Sequence, residues 1–168
     1  MAPRADAVAD RVSFSGAKIA VFVRGEILTL HRDDIPDIDW PGHWDLPGGG
    51  NEGDEGPLAC ALRELEEELC IALDPARVVW SLEETREDGT LTWFFVAFWD
   101  DLDLAQVKLG DEGQAWATMT PAAYLSHPKA IPSLVRRLGL WLAHASGGSS
   151  SPSIETPSTA AIPRTTSM

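Results

Sequence analysis

Residues 47–71 read PGGGNEGDEGPLACALRELEEELCI, and this stretch decides the fold. Three glycines follow Pro47, an acid-rich turn leads to Gly56, and Pro57 opens a run without helix breakers. Proline suits a first helical turn, where an N–H would lack a partner anyway. Leu58, Leu62, Leu65 and Leu69 then recur at helical spacing, which predicts a helix over Pro57–Leu69 packed through one apolar stripe. Opposite that stripe Glu64, Glu67 and Glu68 fall at i, i+3 and i+4 and share a face. Each like-charged pair costs roughly 0.2–0.5 kcal/mol, and the acids lie toward the negative end of the helix dipole. A divalent cation reverses that penalty, because hard oxygen ligands clustered on a rigid face suit Mg²⁺ or Mn²⁺. Taken alone, the run reads equally as a solvated acidic surface.

Upstream, Ala17–Val23 and Glu26–His31 are short and β-branched, and Arg24-Gly25 between them predicts a hairpin. Residues 33–48 are expected to form a loop, broken by Pro36, Pro41, Gly42 and Pro47 and pinned to the body by Trp40 and Trp44. Downstream, Val78–Thr85 and Leu91–Trp99 flank the turn Glu87-Asp88-Gly89. The second run is apolar on both alternating faces, as a central strand covered on two sides would be. A sheet with helices on both faces follows. Gln114–Met119 reads as a last strand, Pro121–Leu125 as a short helix, and Ile131–Ala143 as a closing helix with Leu134, Leu138 and Trp141 inward. Residues 15–145 then make one domain. The segment 146–168 is rich in Ser, Thr, Pro and Gly and is expected to lack fixed structure, as is the start, residues 1–14.

The 168 residues are 44% hydrophobic, enough for a real core, and carry a formal net charge of -13. Such a surface repels polyanions, which excludes wrapping an extended nucleic acid, since that binding rests on basic residues. No apolar run approaches the ~18–20 residues of a bilayer span, and Met1–Arg11 lacks the apolar stretch of a secretion signal. A cytoplasmic protein with no membrane contact is the expectation. Cys60 and Cys70 lie too far apart along one helix for easy bridging and are expected to be small buried residues. The aspartates of residues 33–45 fail the EF-hand spacing, and Pro-Gly-Gly-Gly lacks the Lys-Ser or Lys-Thr of a P-loop.

Gly49, five residues, Glu55, seven residues, Arg63-Glu64-Leu65, one residue, Glu67-Glu68, two residues and Ile71 together resemble the Nudix box of the Nudix hydrolase family, in its MutT-type branch. The resemblance implies an α/β/α sandwich around a mixed β-sheet, spanning about Ala17 to Ala143. It implies hydrolysis of a pyrophosphate bond in a nucleoside tri- or diphosphate derivative, with Mg²⁺ or Mn²⁺ as cofactor. NDP-sugars, dinucleoside polyphosphates and capped RNA ends are alternatives within that chemistry, and a silent nucleotide-binding sensor is one outside it. Metal would be carried by Glu64, Glu67 and Glu68 with the carbonyl of Gly48, and Glu55 and Arg63 would pair. Gly49 would lie against the substrate. Phosphoryl transfer agrees with these roles, since it needs charge neutralisation and in-line positioning more than a protein nucleophile.

Outside the box, Glu112 in Asp111-Glu112-Gly113-Gln114 resembles a further metal-binding or base glutamate of MutT-type members, and Glu64 and Glu112 are both candidates for the general base. Arg32, at the end of the second strand, is similar in position to a substrate-binding arginine and suits a phosphate. Cys70 stands where the family usually has a glycine in left-handed conformation, which puts the helix end in question. Trp93, Phe95 and Trp116 read as core before they read as base-stacking residues. The partner is a small nucleotide-like substrate. The Trp-rich loops also suit a homodimer interface.

Overall fold

The computed structural model describes residues 13–160, with side chains described as far as Gly147. Seven strands, β1 (Phe14–Val23), β2 (Glu26–His31), β3 (Trp44–Asp45), β4 (Gly48–Gly50), β5 (Val78–Thr85), β6 (Leu91–Phe98) and β7 (Ala115–Met119), form one sheet. Three helices accompany it: α1 (Pro57–Leu69), α2 (Pro121–Leu125) and α3 (Pro132–Ala160). The closing helix thus runs beyond Ala143 into the Ser- and Gly-rich segment; residues 1–12 and 161–168, part of the two ends expected to lack structure, lie outside the described residues.

β1 is the axis of the sheet. It runs parallel to β6 from Phe14 opposite Leu91 to Phe22 opposite Phe98. Its other edge is divided: Gly16–Lys18 pair with β4, and Phe22–Val23 pair with β2, both antiparallel. β2 diverges from β1 and pairs β7 on one side and β3 on the other, so β3 and β4 fill the opening. β5 and β6 form the expected antiparallel hairpin.

Both central strands send alternate side chains to opposite cores, as period-two geometry demands. Ile19, Val21, Phe95 and Ala97 join Leu65 and Leu69 of α1 on one face. Ala20, Phe22, Phe94 and Val96 join Leu134 and Leu138 of α3 on the other. The mixed sheet between helices is the predicted sandwich. Leu58 and Leu62 are only partly buried, whereas Cys60 and Ala61 are fully buried, so the buried face of α1 is rotated from the leucine stripe alone. Among the described residues, no helix is long and apolar enough to cross a membrane.

The expected hairpin turn is present, with positive φ at Arg24 (49°) and Gly25 (88°), the signature of a type I′ turn. The expected loop 33–48 is shorter than read, because Trp44–Asp45 and Gly48 are strand. Glycine has poor β propensity, yet here its lack of a Cβ lets β4 lie against β1: any side chain at Gly48 would meet the backbone of Ala17 and Lys18. Trp44 pins the loop as expected, through a stacked His31 ring at 4.6 Å and a hydrogen bond from the Tyr124 hydroxyl to its carbonyl (2.9 Å). Trp40 does not; it is 46% exposed.

Candidate active site

Arg63 organises the acidic helix. Its Nε and Nη2 donate to the two Glu55 carboxylate oxygens at 2.9 and 2.8 Å, a bidentate pair, and Nη2 also reaches the Gly50 carbonyl at 2.9 Å. Nη1 faces Glu52 at 2.6 Å and Glu64 and Glu67 at 3.2 Å each. One cation therefore holds four carboxylates and ties the glycine strand to the helix. Its hydrogen bonds hold Glu55 down to about 2.

One guanidinium does not balance this much negative charge. An oxygen from each of Glu52, Glu64 and Glu67 lies within 4.8 Å of the others, and a cavity of about 340 Å³ is lined only by Glu52, Glu64, Glu67, Glu68, Asp111 and Glu112. Glu68 is turned inward, where Oε1 accepts from Gly48 N at 2.8 Å, and burial pushes its carboxyl up to about 7. Burial also raises Glu64. Clustered hard oxygens with ionisation opposed by their own surroundings form a donor set that fits Mg²⁺ or Mn²⁺. Glycine is required beside it: a Cβ at Gly49 would stand 2.6 Å from the Glu64 carboxylate.

The segment 107–114 brings Glu112 to this cavity by closing the C-terminus of α1. Helix ends leave carbonyls without partners, and here Lys108 N donates to Leu69 O (3.1 Å) and Gly110 N to Glu68 O (2.9 Å). Gly110 packs directly on the Glu67 carbonyl. Cys70 completes the end in the left-handed conformation (φ 59°, ψ 33°), with its N–H on Glu66 O. Helix termination therefore survives the loss of glycine at a cost of roughly 1–2 kcal/mol. Cys70 is exposed, correcting the expectation of burial; Cys60 is buried, its thiol pushed up to about 11 by burial.

On the other side of Gly49 opens a cleft of about 480 Å³ with a cationic floor. Asp45, 2% exposed, accepts from Lys18 Nζ (3.0 Å) and Arg32 Nη1 (2.8 Å). Two cations share one carboxylate, which leaves one net positive charge on this trio, and Arg86, Arg137 and Asp39 also line the cleft. A phosphate group is the matching ligand.

A model of the NUDIX domain matches residues 15–142, most of the chain. The chain belongs to the Nudix hydrolase family. An RNA pyrophosphohydrolase from Acidiphilium cryptum (strain JF-5) is 47% identical over 57 residues, a match covering 33% of this chain and 34% of that relative, so the likeness spans about a third of its length. A MutT protein from Methanosarcina mazei Go1 shares the fold at a TM-score of 0.64 and 19% identity, over 81% of this chain and 97% of that one. A C. elegans Ap4A hydrolase does so at a TM-score of 0.61 and 20% identity, over 79% and 98%.

Within this Nudix domain the structure brings the residues read from sequence into two adjoining groups. Glu55 and Arg63 pair, Glu64, Glu67, Glu68 and Glu112 line one cavity, and Arg32 and Gly49 line the adjoining cleft. Gly48 lies beside them, its N–H on Glu68 and its carbonyl, which has a second lone pair, accepting from Lys18 Nζ at 2.9 Å. Glu52, Asp111, Lys18 and Asp45 escaped the sequence reading. Lys18 had a signal, a lone charge inside an apolar central strand. Trp93 and Trp116 are partly buried and Phe95 is buried against the α1 core, as the core reading expected.

Proposed function

We propose that this protein hydrolyses a phosphoanhydride bond in a nucleoside tri- or diphosphate derivative, with Mg²⁺ or Mn²⁺ held by Glu52, Glu64, Glu67, Glu68 and Glu112. The observation that carries the reading is the juxtaposition of an all-acidic cavity with a cation-floored cleft across Gly49. A bound divalent cation would neutralise phosphate charge and make water more acidic. The chain's own residues do the rest. Arg32 takes phosphate oxygens with the N–H groups it does not spend on Asp39 and Asp45, Lys18 adds positive charge beneath, and Arg63 with Glu55 keeps the acidic face and the glycine strand in register. A water oxygen bonds to phosphorus, the bridging oxygen leaves with its electron pair, and Glu64 or Glu112 accepts the water proton. The RNA pyrophosphohydrolase relative supports phosphoanhydride chemistry, and within it NDP-sugars and dinucleoside polyphosphates remain as alternative substrates.

The test is turnover on a panel of nucleoside triphosphates, NDP-sugars, dinucleoside polyphosphates and triphosphorylated RNA, with Mg²⁺ and with chelator. Metal-dependent release of phosphate, pyrophosphate or a mononucleotide from at least one of them is expected. Tight binding without turnover under any metal would make the domain a nucleotide sensor instead.

A further inference from the structure

The needs of the fold do not explain Trp40. Its indole belongs to neither core and is 46% exposed, and its φ of 52° is a rare and costly backbone state for a bulky residue. Ile35, Val79, Phe98 and Leu140 are also exposed, but none has a positive φ. The display of Trp40 is fixed by the surrounding loop. Arg32 Nε donates to Asp39 O at 2.9 Å, Gly42 N to Asp33 O at 3.0 Å, and His43 N to Trp40 O at 3.2 Å, while the His43 ring meets the indole edge-on at 5.1 Å. Backbone strain held in place by such a network clusters at active sites and ligand clamps.

Trp40 stands on the wall of the cleft whose floor is Lys18, Asp45 and Arg32. Arg32 links the two parts: its Nη1 donates to Asp45, and its Nε holds the Asp39 carbonyl next to Trp40. The cleft therefore offers a π-face and a net positive charge at once, the two features that a nucleotide carries in complementary form. Resting on the nucleotide reading above, we propose that Trp40 is the platform on which the substrate's nucleobase stacks while Arg32 takes phosphate oxygens. The cleft then selects nucleotides over base-free pyrophosphates, and it tolerates different bases, since every base has a π-face.

The test titrates AMP and ribose 5-phosphate by calorimetry into the full chain, without divalent metal, for the wild type, Trp40→Ala and Trp40→Phe. Trp40→Ala is expected to weaken AMP about tenfold, leave ribose 5-phosphate unchanged, and be restored to within about threefold of wild type by Trp40→Phe. Trp40 lies outside both cores, so both variants are expected to fold, as circular dichroism would verify. Equal weakening of both ligands, an unchanged AMP affinity, or a wild type that binds AMP no better than ribose 5-phosphate would overturn the proposal. Because no turnover is needed, these outcomes are separate from a failure of hydrolysis.

Discussion

Glu67→Gln and Glu68→Gln are each expected to lower kcat/KM by about 10²-fold or more, with no loss of thermal stability in the metal-free protein. The two signs together distinguish a ligand from a scaffold residue. Each substitution removes a negative charge from a cavity lined by six acids, so metal-free folding is relieved of repulsion while the cation site loses an oxygen donor. For Glu68 the gain has a pH window. Its folded value of about 7 lies above the unfolded 4.5, so the fold keeps that stabilisation below 4.5 and loses it as pH rises through 7. A glutamine stays neutral and can still accept from Gly48 N, so Glu68→Gln should raise stability by about 2 kcal/mol at pH 8 and by little at pH 5. Thermal unfolding in chelator at the two pH values, beside steady-state kinetics in Mg²⁺, reads both effects. A variant that loses stability in step with activity would assign Glu68 to the scaffold.

Gly110→Ala is expected to cost roughly 2–3 kcal/mol and at least about tenfold in kcat/KM. The added methyl would fall on the Glu67 carbonyl, a backbone atom of a packed helix that cannot yield cheaply. Segment 107–114 must then lift, giving up the bonds from Lys108 N and Gly110 N to the last carbonyls of α1 and drawing Asp111 and Glu112 away from the acidic cavity. Gly139→Ala is the control. It makes the same chemical change inside α3, where an added Cβ meets nothing, and should stabilise by about 0.5–1 kcal/mol through helix propensity. Equal unfolding midpoints for the two variants would refute this role for the 107–114 segment.

The parts of the molecule legible in the sequence are those whose cause is local. The span of α1, the Arg24-Gly25 turn, the two-sided apolar pattern of β6 and the proline opening α2 each follow from a few neighbouring residues, and each is where it was expected. The Glu55–Arg63 pair was also legible, through the family pattern. What escaped depends on distant approach. Glu52 joins Glu64 and Glu67 only because Arg63 draws the acidic turn over the helix. Asp45 becomes the buried partner of Lys18 and Arg32 only once β3 and β4 slot between β1 and β2. Those strands were invisible to propensity because β4 is three glycines, whose pairing rests on a missing Cβ. The Lys18 ammonium on the Gly48 carbonyl follows from the same insertion.

Uptake of Mn²⁺ followed by the loss of its free-ion paramagnetic signal tests the central claim most directly, that the acidic face of α1 is a cation site. Wild-type protein is expected to bind Mn²⁺, more tightly at pH 8 than at pH 6, where Glu68 holds its proton. Glu67→Gln should weaken that binding by at least about tenfold, while Glu66→Gln, on the same helix outside the acidic cavity, should not. No uptake at millimolar Mn²⁺, or equal uptake by the wild type and Glu67→Gln, would contradict the account.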